Sequence, residues 1–205
     1  MVTLHHLRIG RSIFTVWLLE ELGADYNLKE YLRNPETMRA QDDLKVIHPL
    51  GKSPVIEDDG FVLSESGAIT SYLIEKFDTE HKLSPSTANL TEWATYTQWL
   101  HYSEASVFAP LLINMLLMRD PNPSPVLSGF SQAEIKVHLD HIADKLGDNE
   151  FILGDEISGA DFGISYAVSM ALMTGQLENH PTLKAYIERM TSRPAFIAAK
   201  ERAVE

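Results

Sequence analysis

The stretch HPLGKSPVIEDDGFVLSESGAI, residues 48–69, predicts two short strands that run directly into a helix. Pro54 cannot donate to a strand ladder, so it is expected at the first residue of a strand or at a bend. The run Asp58-Asp59-Gly60 predicts a hairpin turn in which Gly60 takes a positive φ. Apolar residues after the second strand follow helical spacing, so a helix is expected to begin near Ser66.

An acid and a hydroxyl, Glu65 and Ser66, stand at the start of this predicted helix. A helix N-terminus carries free N–H groups and a partial positive charge, so it suits a carboxylate. Glu65 beside it suits an ammonium, and the stretch is therefore compatible with a small site for both ends of an α-amino acid. Serine and acidic residues are also ordinary helix caps, and capping alone would explain them. The residues themselves leave both interpretations open.

Composition restricts the class of protein. The 205 residues include 44% hydrophobic side chains, enough to bury a core, and the formal net charge is −12. This charge argues against nucleic acid and an anionic membrane surface as partners, since both favour clustered Lys and Arg. The absence of cysteine excludes disulfides, thiolate metal sites and a protein thiol as nucleophile. With no signal peptide and no apolar run long enough for a bilayer, we expect a cytoplasmic protein.

The first part of the chain predicts strands and helices in alternation, followed by the hairpin and its helix. The further elements expected there are strands at 2–7 and 26–32 and helices at 11–22 and 36–46. A strand, helix, strand sequence implies a right-handed parallel crossover. The order βαβαββα is that of an α/β thioredoxin-like domain with a four-stranded mixed sheet, which we assign to residues 1–78.

The rest of the chain predicts helices alone. Residues 79–87 are charged and then rich in serine and proline, which is typical of a linker, and residues 88–205 would form an all-α helical bundle. The expected elements are a helix at 90–118 kinked at Pro110, a loop at 120–128, a helix at 131–146 with Ser131 and Glu134 as capping box, a second capping box of Ser158 and Asp161, and helices at 181–190 and 194–202.

Three segments in this order resemble the glutathione S-transferase superfamily. The stretch at 48–69 is similar to its glutathione-binding half. GRSIFTVWLLEELG at 10–23 is similar to its first helix, and ISGADFGIS at 157–165 resembles the capping-box segment of its helical domain. The likeness is greatest to bacterial and fungal serine-type members. It implies a thioredoxin-like glutathione-binding domain followed by an all-helical domain.

The resemblance implies separate contacts for the three parts of glutathione. Glu65 would bind the γ-glutamyl ammonium, and Ser66 the γ-glutamyl carboxylate through its hydroxyl and N–H. Val55 would pair its backbone with the cysteinyl unit, in a geometry that a cis bond before Pro54 permits. Lys52 would reach the glycyl carboxylate, or else be a solvated loop lysine. His48 and Arg11 are weaker candidates: His48 for the glycyl carboxylate or packing beside Pro49, Arg11 for electrostatic help or an ion pair.

The group that activates the glutathione thiol is less clearly marked. Serine-type relatives carry their serine where this chain has Gly10, and tyrosine-type relatives carry tyrosine where it has His6. Ser12 is the nearest hydroxyl and the candidate catalytic residue, because a hydrogen-bond donor at the sulfur favours thiolate over thiol. The alternatives are that Ser12 only caps or packs, and that backbone N–H groups near Gly10 act instead.

For the second substrate, the resemblance implies a hydrophobic electrophile bound against the helical domain. The candidate residues are Tyr102, Phe108, Leu112 and Met115, for which plain core packing is the alternative. Pro54, Ser158 and Asp161 are expected to be structural.

The sequence therefore predicts a cytoplasmic glutathione transferase, a homodimer by family likeness, with glutathione as co-substrate and no metal. The alternatives are a non-catalytic glutathione-binding or structural module, and a glutathione-dependent peroxidase.

Overall fold

A computed structural model describes residues 1–203 of the chain, which divides into two compact units. The first unit comprises Met1–His81 together with the segment from Thr191, and the second comprises Lys82–Met190. None of the helices within residues 1–203 combines the length and the apolar character needed to cross a bilayer.

The described elements follow one another as β1 (Val2–Leu7), α1 (Ser12–Glu21), β2 (Tyr26–Tyr31), α2 (Asp42–Ile47), β3 (Val55–Asp58), β4 (Phe61–Ser64), α3 (Ser66–Phe77), α4 (Leu90–Tyr102), a π-helical segment (Ser103–Val107), α5 (Phe108–Leu117), α6 (Pro125–Leu146), α7 (Gly159–Met173), α8 (Pro181–Thr191) and α9 (Pro194–Arg202). The four strands form one sheet in the order β2-β1-β3-β4. The β1–β2 pair is parallel and the other two pairs are antiparallel, so the predicted mixed thioredoxin-like sheet is confirmed.

The hairpin turn forms as its sequence predicts. β3 and β4 are joined by Asp59 and Gly60, and both residues have positive φ, 48° and 84°. A two-residue loop with two positive φ angles matches the twist of the flanking strands. The turn fixes the β3–β4 register, which places Val55 opposite Ser64.

The polar helix expected at 36–46 was wrong over its first half. The side-chain oxygen of Asn34 accepts hydrogen bonds from the N–H groups of Glu36 and Thr37, at 2.9 and 3.0 Å. The N–H of Asn34 donates to the carbonyl of Arg39 at 2.8 Å, and Met38 takes a positive φ of 56°. These bonds close a loop, because an asparagine side chain competes with the helical hydrogen-bond pattern.

Two boundaries in the helical unit also differ from the sequence prediction. α6 begins at Pro125 with Ser124 as its N-cap, so Ser131 lies inside the helix, buried, and bonds back to the carbonyl of Ser128. The helix expected at 90–118 with a kink at Pro110 is divided instead into α4, the π-helical segment and α5, and α5 runs on through Pro110. Pro110 lacks an N–H and crowds the carbonyl four residues before it, which favours a wider turn there.

The second predicted capping box is confirmed. Asp161 is fully buried and accepts hydrogen bonds at 2.9 Å from the N–H groups of Ile152 and Ser158 and from the hydroxyls of Ser158 and Tyr186. Burial raises the pKa of Asp161, while these donors act in the opposite direction.

The last helix joins the first unit, whereas the sequence placed it among the helices of the second domain. α9 packs along α1, where the rings of Trp17 and Phe196 meet edge to face with centroids 5.1 Å apart. The guanidinium of Arg193 forms an ion pair with Glu21, near the end of α1. These contacts fix one face of α1.

Candidate functional site

The candidate site lies at one end of the sheet, where β1 ends, β3 begins and β4 ends. Val55 is opposite His5 on one side and Ser64 on the other. Continuing this antiparallel register by one or two residues sets Pro54 and Ser53 beside His6 and Leu7 on one flank and beside Glu65 and Ser66 on the other. The sheet therefore brings together the two chain segments that lead into α1 and α3.

The peptide bond between Ser53 and Pro54 is cis, the geometry that the sequence analysis required for the site. The Ser53 hydroxyl donates to the carbonyl of His5 at 2.7 Å and accepts from the N–H of Leu7 at 3.1 Å. This side chain completes the β1 ladder where the main chain turns away. The main chain of Ser53 consequently stands outside the sheet pairing.

Val55 has no open edge for a ligand strand. It is fully buried in a strand with a neighbour on each side. A strand can be added only where main-chain groups remain unpaired, so the backbone position available for this contact is Ser53, two residues earlier. Sequence reasoning missed Ser53, although its place directly before Pro54 was the available signal.

The start of α3 has no side-chain cap and carries an exposed acid directly before a buried hydroxyl. Glu65 is the N-cap residue with φ 73°, and its side chain makes no capping hydrogen bond. Its carboxylate is exposed and has no partner among residues 1–203, while Ser66 is buried. A non-glycine residue at positive φ is costly and is characteristic of functional positions. The side chain of Glu65 therefore does not cap α3.

Lys52 lies in positive surroundings. Desolvation lowers the pKa of its ammonium, and the nearby charges of Arg39, Arg11 and Arg33 lower that pKa further. Lys52 is exposed and lines a groove of 820 Å³, together with residues that include Asn34, Arg39, Asp42 and Lys45. A bound anion would offset the repulsion between Lys52 and the neighbouring arginines, so this end of the site suits a carboxylate.

His48 and Arg11 flank this region. His48 follows α2, is half-buried, and has an Nδ1 atom that is buried without a hydrogen-bond partner among the described residues. Arg11 is the N-cap residue of α1 and is half-buried. Both residues belong to the first unit with Glu65 and Lys52, as a shared site requires.

Ser12 lies inside the first unit, where β1 and α1 meet. Its side chain is fully buried, and its Oγ lies 2.8 Å from Nδ1 of His6 and 3.5 Å from the carbonyl of Leu7. The hydroxyl thus holds β1 and α1 together. Gly10, two residues earlier, has no room for a side chain, because a Cβ there would lie 2.8 Å from the Leu7 carbonyl oxygen.

Arg33 holds the turn between β1 and α1, a role that sequence reasoning missed. Its guanidinium donates to the carbonyls of Arg8, Ile9 and Met38, at 3.0, 2.6 and 2.8 Å. Ile9 has a φ of 55°, unusual for a β-branched residue, and its side chain is exposed. No pattern in the sequence marks an arginine that binds main-chain carbonyls.

The predicted electrophile-binding residues lie in the second unit, in α4 and α5. The Tyr102 hydroxyl is 2.6 Å from Nδ1 of His138, and burial raises the pKa of Tyr102 to about 12. Phe108 is buried against the ring of Tyr166. Leu112 is exposed and Met115 half-exposed, so these two side chains are available for contact.

Within residues 1–203, the histidine, aspartate and glutamate side chains nowhere form a group of three or more arranged to hold a metal ion.

Comparisons with known proteins agree with this architecture. Residues 2–75 match the glutathione S-transferase N-terminal domain, and residues 113–199 match the glutathione S-transferase C-terminal domain. Glutathione S-transferase 3 of Schizosaccharomyces pombe is 31% identical over 98% of this chain and 88% of its own.

Solved structures give the same result. A glutathione S-transferase from Actinobacillus pleuropneumoniae is 33% identical with a TM-score of 0.89, covering 99% of this chain and 93% of that protein. A glutathione transferase homolog from Lodderomyces elongisporus, crystallised with two GSH per subunit, is 23% identical with a TM-score of 0.83, covering 98% of each chain, and shares the fold.

Proposed function

Since this chain belongs to the glutathione S-transferase family, we propose that it binds glutathione at the sheet end and joins the glutathione thiol to hydrophobic electrophiles. The observation that carries the proposal is the start of α3, where Glu65 has a positive φ and an unpaired carboxylate beside buried Ser66. A helix N-terminus without a side-chain cap leaves N–H groups for the γ-glutamyl carboxylate, and Glu65 receives the ammonium.

The other parts of glutathione then follow the sheet. The cysteinyl unit pairs with the main chain of Ser53, which is outside the ladder, and Lys52 meets the glycyl carboxylate in the groove. Arg11 adds positive potential, and His48 lies at the same end. Ser53 has α3 on one side and the end of β1 on the other. With the γ-glutamyl end at α3, the cysteinyl sulfur would therefore face the turn between β1 and α1.

The reaction needs a thiolate. A free thiol has a pKa of about 8.5, and main-chain N–H groups at a helix N-terminus lower it. We propose the N–H of Gly10 as the donor, because Gly10 has no acceptor for it among the described residues, while the Ser12 hydroxyl is already bonded to His6. The thiolate attacks an electrophilic carbon, a C–S bond forms, and the leaving group departs with the bonding electrons. The thiol proton passes to solvent.

Leu112 and Met115, together with Tyr102 and Phe108, are proposed contacts for the electrophile. A flexible thioether adapts to ligands of different shape, which suits a broad range of hydrophobic substrates. We also propose a cytoplasmic homodimer with no metal requirement.

Conjugation of glutathione to a chlorinated nitrobenzene tests the proposal, with Ser12→Ala as the diagnostic variant. We expect turnover by the wild-type protein and a loss of less than about tenfold in kcat/KM for Ser12→Ala. If the Ser12 hydroxyl donated a hydrogen bond to the sulfur in the transition state, its removal would cost more than about tenfold. Retention on immobilised glutathione without turnover would instead support the non-catalytic module. The buried Ser12 hydroxyl and the bare Gly10 are the observations that favour this second candidate.

A further inference from the structure

The arrangement around Arg33 carries an inference that rests on the proposed function and goes beyond it. The guanidinium of Arg33 donates to the carbonyl oxygens of two successive peptide units, those of Arg8 at 3.0 Å and Ile9 at 2.6 Å. A third hydrogen bond, to Met38 at 2.8 Å, anchors it to the loop after β2. One side chain thus fixes the orientation of two peptide planes in the turn before α1.

Because a peptide unit is planar, the direction of its C=O also fixes the direction of its N–H. In a trans peptide the C=O and the following N–H point in opposite directions. Because the Ile9 carbonyl points at Arg33, the N–H of Gly10 points away from Arg33. The positive charge lies on the carbonyl side of that peptide, so it polarises the unit and increases the partial positive charge on the Gly10 N–H.

The turn needs such support. Ile9 is β-branched and takes a φ of 55°, a conformation that the surrounding structure must enforce. Gly10 also has to be a glycine, since a Cβ at this position would lie 3.0 Å from an Arg33 guanidinium nitrogen and 2.8 Å from the Leu7 carbonyl oxygen. The turn and the guanidinium are therefore fitted to each other.

We propose that Arg33 is a positioning residue for thiolate formation: it aims and polarises the Gly10 N–H that donates to the glutathione sulfur. Arg33 acts through the peptide and does not touch the tripeptide itself. Lysine cannot replace it fully, because an ammonium lacks the planar fork that reaches several carbonyls at fixed angles.

The test is a pH titration of the glutathione thiolate in the binary complex, followed by its ultraviolet absorbance. Arg33→Gln and Arg33→Lys are compared with the wild-type protein, and glutathione affinity is measured by calorimetry on the same samples. Arg8→Gln is the matched control. It removes an equal charge from the same turn, but the Arg8 side chain pairs with Glu30 at 2.8 Å and its removal leaves the main-chain carbonyls in place.

We expect the Arg33→Gln complex to titrate about one pH unit higher than wild type, which is a tenfold loss of thiolate below the pKa. Arg33→Lys should shift in the same direction by less, and Arg8→Gln should not shift. Arg33→Lys keeps the positive charge near Lys52, so its glutathione affinity, measured below the pKa of the bound thiol, should stay within about threefold of the wild-type value, whereas Arg33→Gln also loses that charge. If Arg33→Gln does not fold, the shift in Arg33→Lys decides.

An Arg33→Gln protein that folds, binds glutathione and titrates as wild type does would overturn the inference. Wild-type protein that binds glutathione but leaves its thiol pKa at the ordinary value would also overturn it. Wild-type protein that does not bind glutathione would refute the proposed function itself, a result that calorimetry reports before any titration is made.

Discussion

Replacing Asp161 by Asn should destabilise the protein by about 3–5 kcal/mol. In the wild type, one carboxylate oxygen accepts from the N–H of Ile152 and the hydroxyl of Tyr186, and the other accepts from the N–H and hydroxyl of Ser158. An amide keeps one accepting oxygen and turns two N–H donors toward the other pair. Two hydrogen bonds to a charged acceptor are lost, each worth about 1.5–3 kcal/mol, and a buried main-chain N–H remains unpaired.

Urea unfolding followed by tryptophan fluorescence measures this loss, and thermal unfolding should give a midpoint lower by about 10 °C for a chain of this length. Ser158→Ala is the matched comparison, since it removes one of the four hydrogen bonds and should cost about 1 kcal/mol. A loss of less than about 1 kcal/mol for Asp161→Asn would refute the reasoning, because it would mean that the four contacts do not act on an ionised, buried carboxylate.

Two further substitutions test local geometry. Gly10→Ala should lower the free energy of unfolding in urea by about 1–3 kcal/mol, because the new Cβ would lie 2.8 Å from the main chain. Gly129→Ala in α6 has open space around it and should raise the free energy of unfolding by about 0.5–1 kcal/mol. Equal effects of the two substitutions would contradict this reasoning. Asp58→Asn should cost about 2–3 kcal/mol near neutral pH, since hydrogen bonds from Lys76 and Tyr72 lower the pKa of the buried Asp58 carboxyl. The pKa of Asp58 is lower in the folded than in the unfolded protein, so the difference in unfolding free energy between wild type and Asp58→Asn should persist above about pH 4. It should disappear as the pH falls through the folded pKa. A difference that grows in acid would contradict the stabilising role of the ionised Asp58 carboxylate.

Features fixed by short-range stereochemistry were predictable from the sequence. A proline directly before an apolar pair located the bend at the start of β3, for which the resemblance implied a cis bond, and an Asp-Gly pair located the hairpin turn. The capping box of Ser158 and Asp161 was recognisable because both partners lie within one helical turn. In each case the residues that determine the structure are neighbours in the chain.

Features that depend on distant partners, or on which of two local hydrogen-bond patterns forms, were not predictable. Asn34 ends a helical pattern by bonding its own following N–H groups, and Ser131 has the pattern of a cap but lies buried inside α6. Ser12 was chosen as the nearest hydroxyl, and only the tertiary structure shows that His6 holds it. Arg33 carries no pattern at all, since its acceptors are main-chain carbonyls 5 to 25 positions away.

The Val55 and Ser53 positions illustrate a register effect. The contact that the resemblance implies for Val55 is proposed instead for Ser53, two residues earlier in the chain. Only the pairing of Val55 with both His5 and Ser64 shows that this residue has no free edge. A strand that is recognised by its hydrophobicity does not reveal where its ladder starts.

We propose that the start of α3, with the unpaired carboxylate of Glu65, holds the γ-glutamyl end of glutathione. Titration calorimetry of glutathione against the wild-type protein, Glu65→Gln and Glu75→Gln tests it most directly; Glu75 is an exposed glutamate in the same helix, far from its start. We predict that Glu65→Gln weakens binding by about tenfold or more, the loss of a hydrogen bond between charged groups, and that Glu75→Gln leaves the affinity unchanged. Equal affinity for Glu65→Gln and the wild type would contradict the account.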